Sequence, residues 1–146
     1  MTIVFNLFDY SYSAEFLKSW ITLTTYLNKT GIRYHISQHV SCNAFYAKQM
    51  CLGGNVLSGP TQTPYQQTIK YDILVFLSNK IIFTRQGVFE ELEYPWFRPH
   101  ISTTESEQQF VDIDICRRIK NQNIDLLIDK TVDLRRGDFN FIKINE

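Results

Sequence analysis

A chain of 146 residues lies near the commonest size of one domain, and at that length folding hides roughly 70% of the unfolded surface, so a single core over residues 1–146 is expected. The composition, 44% hydrophobic, 14% aromatic and 21% charged, excludes a disordered chain and suits a soluble globular one. With 15 basic against 15 acidic side chains the formal charge is +0, so no broad basic field exists and nucleic acid is not an expected partner.

No apolar run approaches the roughly 20 residues of a membrane-spanning helix, and no basic region leads into an apolar leader, so no membrane span and a cytoplasmic location are expected. The three cysteines, Cys42, Cys51 and Cys116, form no C-x-x-C pair. Neither His35, His39 nor His100 stands at zinc-finger spacing from them, which points to buried thiols in a reducing compartment.

Taken in chain order, Thr2 to Phe5 reads as a short strand. After the polar turn at 9–13, Ser13 suits the cap of a helix whose apolar positions Phe16, Trp20, Leu23 and Leu27 recur at helical spacing, with Gly31 ending it. Arg33 to Val40 alternates as a strand. Asn43 to Leu52 forms a helix that Gly53 and Gly54 close, and these glycines make no G-x-G-x-x-G phosphate loop. A Gly-Pro-Thr loop then leads to Ile73–Leu77, the continuous apolar run of a strand covered on both faces.

Strand, helix, strand, helix, strand predicts neighbouring parallel strands with helices on both faces, an α/β sheet of Rossmann-like type. Ligands of such sheets gather at the carboxyl ends of the strands, which makes Asp9 and Tyr10 candidates for holding a base or ribose. Beyond a second apolar run at Ile81–Phe83 the order loosens. It offers a short helix over Gln86–Glu93, a rigid turn over Tyr94–Pro99, a helix over Val111–Asn121, a strand over Ile124–Ile128 and a weakly determined tail after Arg135.

Several stretches carry a resemblance: FLKSW, NAFYAKQMCLGGNVLSGPTQTPY, YDILVFL, GVFEELEYPWFRP and VDIDICRRI, in that order along most of the chain. Together they resemble the family 2 glycosyltransferases of the GT-A fold, most closely the short forms of marine viruses and phages. The resemblance implies a shortened GT-A-like sheet with a nucleotide-binding half at 1–77 and a shortened acceptor half at 78–146. It would place the chain in the cytoplasm of a host cell if the source is viral.

The family has an Asp-x-Asp pair after the strand resembling YDILVFL, and a divalent ion held there offsets the charge of the leaving pyrophosphate. Here Ser78, Asn79 and Lys80 follow instead, and the next run resembles the strand before GVFEEL, which implies an internal deletion. A Gly-His pair expected near the carboxyl end is replaced by Arg135 and Arg136. No metal or other cofactor is therefore expected. Lys80, Arg135 and Arg136 either neutralise a pyrophosphate directly or are solvated surface charges.

By the same resemblance Asp112 stands where the family keeps its catalytic base, although a carboxylate at a helix start also satisfies the helix dipole, while Asp114 reads as a solvated helix residue. Asn43 and Lys48 match positions that help hold the nucleotide. Trp96, Phe97 and Arg98 match an acceptor-side loop, or else plug the core. The expectation is a glycosyltransferase-like protein, descended from enzymes that move a sugar from a nucleotide donor to a hydroxyl acceptor, with weak or absent activity. The rival is a non-catalytic binding or assembly protein that retains the fold, binds a nucleotide sugar or nucleotide diphosphate at most, and self-associates through apolar surface left open.

Overall fold

The computed structural model describes residues 1–77, 81–98, 111–127, 134–135 and 138–139. Its centre is β1 (Thr2–Leu7), five of whose six residues are buried. On one side β1 pairs in parallel with β2 (Arg33–Gln38), and on the other with β3 (Ile73–Leu77). A fourth strand, β4 (Ile81–Arg85), runs antiparallel to β3, so the sheet order is β2-β1-β3-β4. The three neighbouring parallel strands are those the alternation of elements predicts. The sheet is mixed and open, with helices against both faces.

Alternation along β1 sends successive side chains to opposite faces and so builds two cores. Phe5 and Leu7, with Val75 and Leu77 of β3, meet α1 (Ala14–Thr30) through Phe16 and Leu27. The helix starts where expected, because the Ser13 hydroxyl accepts the Phe16 amide at 3.1 Å, and it stops at Gly31, whose φ of 68° a side chain would resist. Val4, Phe8, Leu74 and Phe76 point the other way. They meet α2 (Ala44–Cys51) and a run of irregular chain that supplies Tyr65, Phe89, Trp96 and Phe97. α2 ends at Gly53, with φ 74°, where a Cβ would stand 3.3 Å from the Tyr65 backbone. Gly54 is tighter still, since its Cβ would meet the Tyr94 ring at 2.8 Å. Both glycines thus serve close packing as well as helix termination.

The second core departs from expectation in three places. Residues 86–92 form turns rather than a helix, because Gly87 adopts φ 96° and the Glu90 carboxylate folds back to accept the Gly87 amide at 3.0 Å and the Tyr71 hydroxyl at 2.8 Å. The turns still drive Val88, Phe89 and Leu92 into the core. Over 124–127 no strand forms; α3 (Val111–Asn121) is closed by Asn123 in the left-handed region at φ 57°, and Leu127 is 93% exposed with no strand beside it among the described residues. Ile128 lies outside the described residues. Two short strands not expected from sequence, β5 (Leu134–Arg135) and β6 (Asp138–Phe139), pair antiparallel, and β6 runs beside α1.

Arg118 of α3 ties the irregular chain together. Its guanidinium donates to the carbonyls of Pro95 at 2.8 Å, Trp96 at 2.9 Å and Glu93, and stands 3.7 Å from Asp114. Asp114 also meets Arg98 at 3.4 Å, so it is a paired carboxylate instead of the solvated helix residue expected. Of the cysteines, Cys51 is buried as anticipated, whereas Cys42 is exposed because it stands in the loop before α2.

Candidate functional site at the carboxyl edge of the sheet

From β1 the chain crosses one face through α1 to reach β2, and from β2 it returns across the opposite face through α2 towards β3. The two connections part at the carboxyl ends of β1 and β3, where the strand order reverses and where, as a general rule for open α/β sheets, the ligand crevice lies. Phe8, Asp9 and Tyr10 follow β1 directly into it. The Asp9 amide donates to the Tyr12 hydroxyl at 3.3 Å, and Tyr12 stacks on Phe16 at 4.3 Å, so the loop is fastened to the start of α1. Burial pushes the Tyr12 phenol up to about 12, which keeps it neutral.

Lys48 approaches the same edge from α2, beneath its surface. It is only 5% exposed, and its Nζ lies 5.1 Å from the centre of the Phe8 ring and 5.3 Å from that of Phe97. A desolvated ammonium against aromatic faces gains about 2 kcal/mol per contact, which offsets part of the cost of burying the charge. Its field also acts on Asp9. Burial raises the Asp9 carboxyl above its ordinary value, and Lys48 opposes that rise. Asp9 and Lys48, drawn from separate parts of the sequence, thus lie near enough for the charge of one to act on the other.

Tyr10 stands at the mouth of the crevice, 72% exposed. Asn43 is the N-cap of α2, its Oδ1 accepting the Tyr46 amide at 3.1 Å, so its side chain is already engaged. Trp96 and Phe97 are 0% and 2% exposed; their rings fill the core and present no open face for stacking on a sugar. Arg98 is bound to Asp114. Asp112 is the second residue of α3, and its side chain lies outside the described residues, as do Lys80, Arg136 and the side chain of Arg135. Below this edge the Cys51 thiol donates to the Leu7 carbonyl at 3.4 Å, and burial pushes it up to about 11.

One pair beneath the crevice has no counterpart in the sequence reading. Asn6, fully buried on the central strand, accepts the Tyr65 hydroxyl at 2.9 Å and donates to the Val75 carbonyl at 3.5 Å. The signal was present as the lone polar residue in VFNLF, since an amide in a buried strand requires partners. Among the described residues, no group of three or more His, Cys, Asp or Glu side chains could hold a metal ion, and no helix is long and apolar enough to cross a membrane.

No family model matches the chain, and neither a curated protein nor a solved structure matches it. The fold is that of an open α/β protein with a mixed four-stranded sheet flanked by helices, and Asp9 follows the central strand at the carboxyl edge.

Proposed function

We propose that the chain is a glycosyltransferase-like domain of GT-A type that binds a nucleotide diphosphate or nucleotide sugar at the carboxyl edge and transfers sugar weakly or not at all. The observation that carries this reading is that Phe8 and Asp9 follow the central strand at the point where the strand order reverses, with Lys48 packed on the Phe8 ring beside them. In this reading the Asp9 carboxylate accepts ribose hydroxyls or a base N–H, and Tyr10 lends an exposed ring to the base. Lys48 acts from behind Phe8 and Phe97. Its charge is too deep for a surface grip, but in the low dielectric of that position its field favours a diphosphate at the mouth.

A divalent ion, usual in the family, does not fit the donors in place. Ser78, Asn79 and Lys80 stand at its expected position, and a hydroxyl, an amide and an ammonium are a poor set for a hard cation. No step is routed through a metal. The non-catalytic reading draws support from exposed apolar side chains, Leu17 and Ile21 on α1 and Phe83 on the edge strand β4.

The test is calorimetry and thermal melting with uridine and guanosine diphosphates, since a ligand at about 100 times its dissociation constant adds about 2.7 kcal/mol to the folded state. We expect stabilisation by at least one diphosphate, a loss of affinity of about tenfold or more in Asp9→Asn or Lys48→Met, and no release of diphosphate from sugar nucleotides. Absence of stabilisation by both diphosphates at millimolar concentration overturns nucleotide binding. Turnover abolished by Asp112→Asn would overturn the view that catalysis is weak or lost.

A further inference from the structure

At the opposite end of the sheet lies a cavity of about 790 Å³ to which nothing above gives a role. Its origin is plain from the register. Thr2 pairs with Arg33 and Val4 with His35, so Thr2, Arg33 and His35 share the face that α2 covers. But α2 has only 8 residues and reaches the carboxyl half of β2, where the Ser37 hydroxyl donates to the Cys51 carbonyl at 2.6 Å. Over the amino half the face is left open and is walled by the loop that contributes Thr63, Gln67, Thr68 and Lys70.

The charges on this wall are unequally committed. The Glu90 carboxylate is occupied by the Tyr71 hydroxyl at 2.8 Å and the Gly87 amide at 3.0 Å, and Asp72 accepts the Thr2 amide at 2.6 Å. Burial, followed by the bond to Glu90, drives the Tyr71 phenol far above its ordinary range, so it remains a proton donor to that carboxylate. Among the described residues the side chains of Arg33, His35 and Lys70 make no hydrogen bond or ion pair. The acids thus have partners within the fold, and the side chains of the bases do not.

The loop itself is held in a costly shape. Tyr65, Gln66 and Gln67 adopt φ of 54°, 48° and 61°, three successive non-glycine residues in the left-handed region. Core contacts impose this. The Tyr65 amide donates to the Leu52 carbonyl at 2.6 Å, its hydroxyl to Asn6 at 2.9 Å, and the Thr68 amide returns to the Tyr65 carbonyl at 2.9 Å. Such strain persists where the surroundings overdetermine it and is concentrated at binding sites. Here it sets Gln67 and Thr68 against the cavity.

We propose that this cavity is a second ligand site, for a small anionic polyol of the sugar phosphate class. Arg33, His35 and Lys70 hold its anionic group, while Thr63, Thr68 and Gln67 meet its hydroxyls. The size falls within the range of small-molecule sites, and the cationic, amide and hydroxyl groups on the wall suit an anionic polyol. It is independent of the nucleotide edge, because five or six residues of strand at about 3.3 Å each separate the two by roughly 17 Å.

The experiment is calorimetry on the whole chain with glucose 6-phosphate, glucose and inorganic phosphate, together with amide shift mapping by nuclear magnetic resonance. We expect glucose 6-phosphate to bind more tightly than inorganic phosphate, glucose to give no heat, and the combined Arg33→Ala and Lys70→Ala variant to lose about tenfold in affinity. Both residues are exposed, so the variant should fold; should it not, shifts on the wild-type chain still decide the matter. The proposal predicts shifts at Arg33, His35, Thr68 and Lys70. Shifts at Asp9, Tyr10 and Lys48 instead, unchanged affinity in the variant, or no binding of the sugar phosphate at tens of millimolar would each overturn it. Equal affinity for inorganic phosphate would overturn the polyol assignment.

Discussion

The two faces of the sheet are built by different means. One is covered by a single helix of 17 residues, capped at both ends, and its buried cluster is wholly apolar. The other is covered by two shorter helices, of 8 and 11 residues, and by chain that is mostly neither helix nor strand. That face carries the charged and polar burials: Lys48, Gln49, Asn6 and the Arg118 clasp. Regular structure satisfies its own backbone and needs only an apolar stripe, whereas irregular chain draws on side chains for its buried backbone groups, as the Pro95 and Trp96 carbonyls draw on Arg118. Both sites argued above lie beside the irregular face, where positions are set by specific bonds.

The comparison breaks first if the irregular face is only loosely packed. Trp96 is fully buried there, edge-on to Tyr94 at 5.3 Å and to Phe89 at 6.3 Å. Trp96→Ala should cost about 3–5 kcal/mol in urea unfolding, as much as the same truncation of Phe16 on the helical face. A cost below about 1 kcal/mol would mean that this segment lies outside the cooperative core.

The same contrast explains what the sequence disclosed. The α1 face was readable because Ser13, the apolar spacing and Gly31 are local signals that agree with one another. The three parallel strands were readable from β-rich apolar runs between helices. The expected helix over 86–93 failed because the apolar spacing of Val88, Phe89 and Leu92 does not reveal that Glu90 will be captured by Tyr71, a residue 19 positions earlier. Asp9 and Lys48 were both singled out, the first by its place after a strand and the second by resemblance alone. Nothing local showed that Lys48 would be buried between two aromatic rings, since that depends on Phe97 arriving from a remote turn. The cavity at the amino edge was illegible for the same reason: it exists because α2 is shorter than the face it covers.

A smaller effect sharpens the comparison at the clasp. Arg118→Met keeps the apolar stem but removes donors to the carbonyls of Glu93, Pro95 and Trp96. Bonds to a charged donor contribute about 1.5–3 kcal/mol, and a loss of that order is expected. Hydrogen exchange should accelerate around residues 93–97 and leave α1 unchanged. Uniform acceleration on both faces would show that the clasp supports the whole fold instead of one side.

The smallest effect asks which force governs Asp9. Burial lifts its carboxyl above the ordinary 3.8 in the folded protein, and the attraction of Lys48 works against that lift without cancelling it. A raised carboxyl means that the folded chain holds its proton more tightly than the unfolded chain. The contribution to stability is therefore fullest below the unfolded value and is lost as pH rises through the folded one. Solvent reaches Asp9, so the loss is modest and reduced by screening. Urea unfolding of the wild type and of Asp9→Asn from about pH 3 to about pH 7 isolates it. The stability of the wild type relative to the variant should fall across the carboxyl range and then level off. A rise across that range would mean that the attraction of Lys48 outweighs burial, and the crevice would then be a closed ion pair with little charge left to offer a ligand.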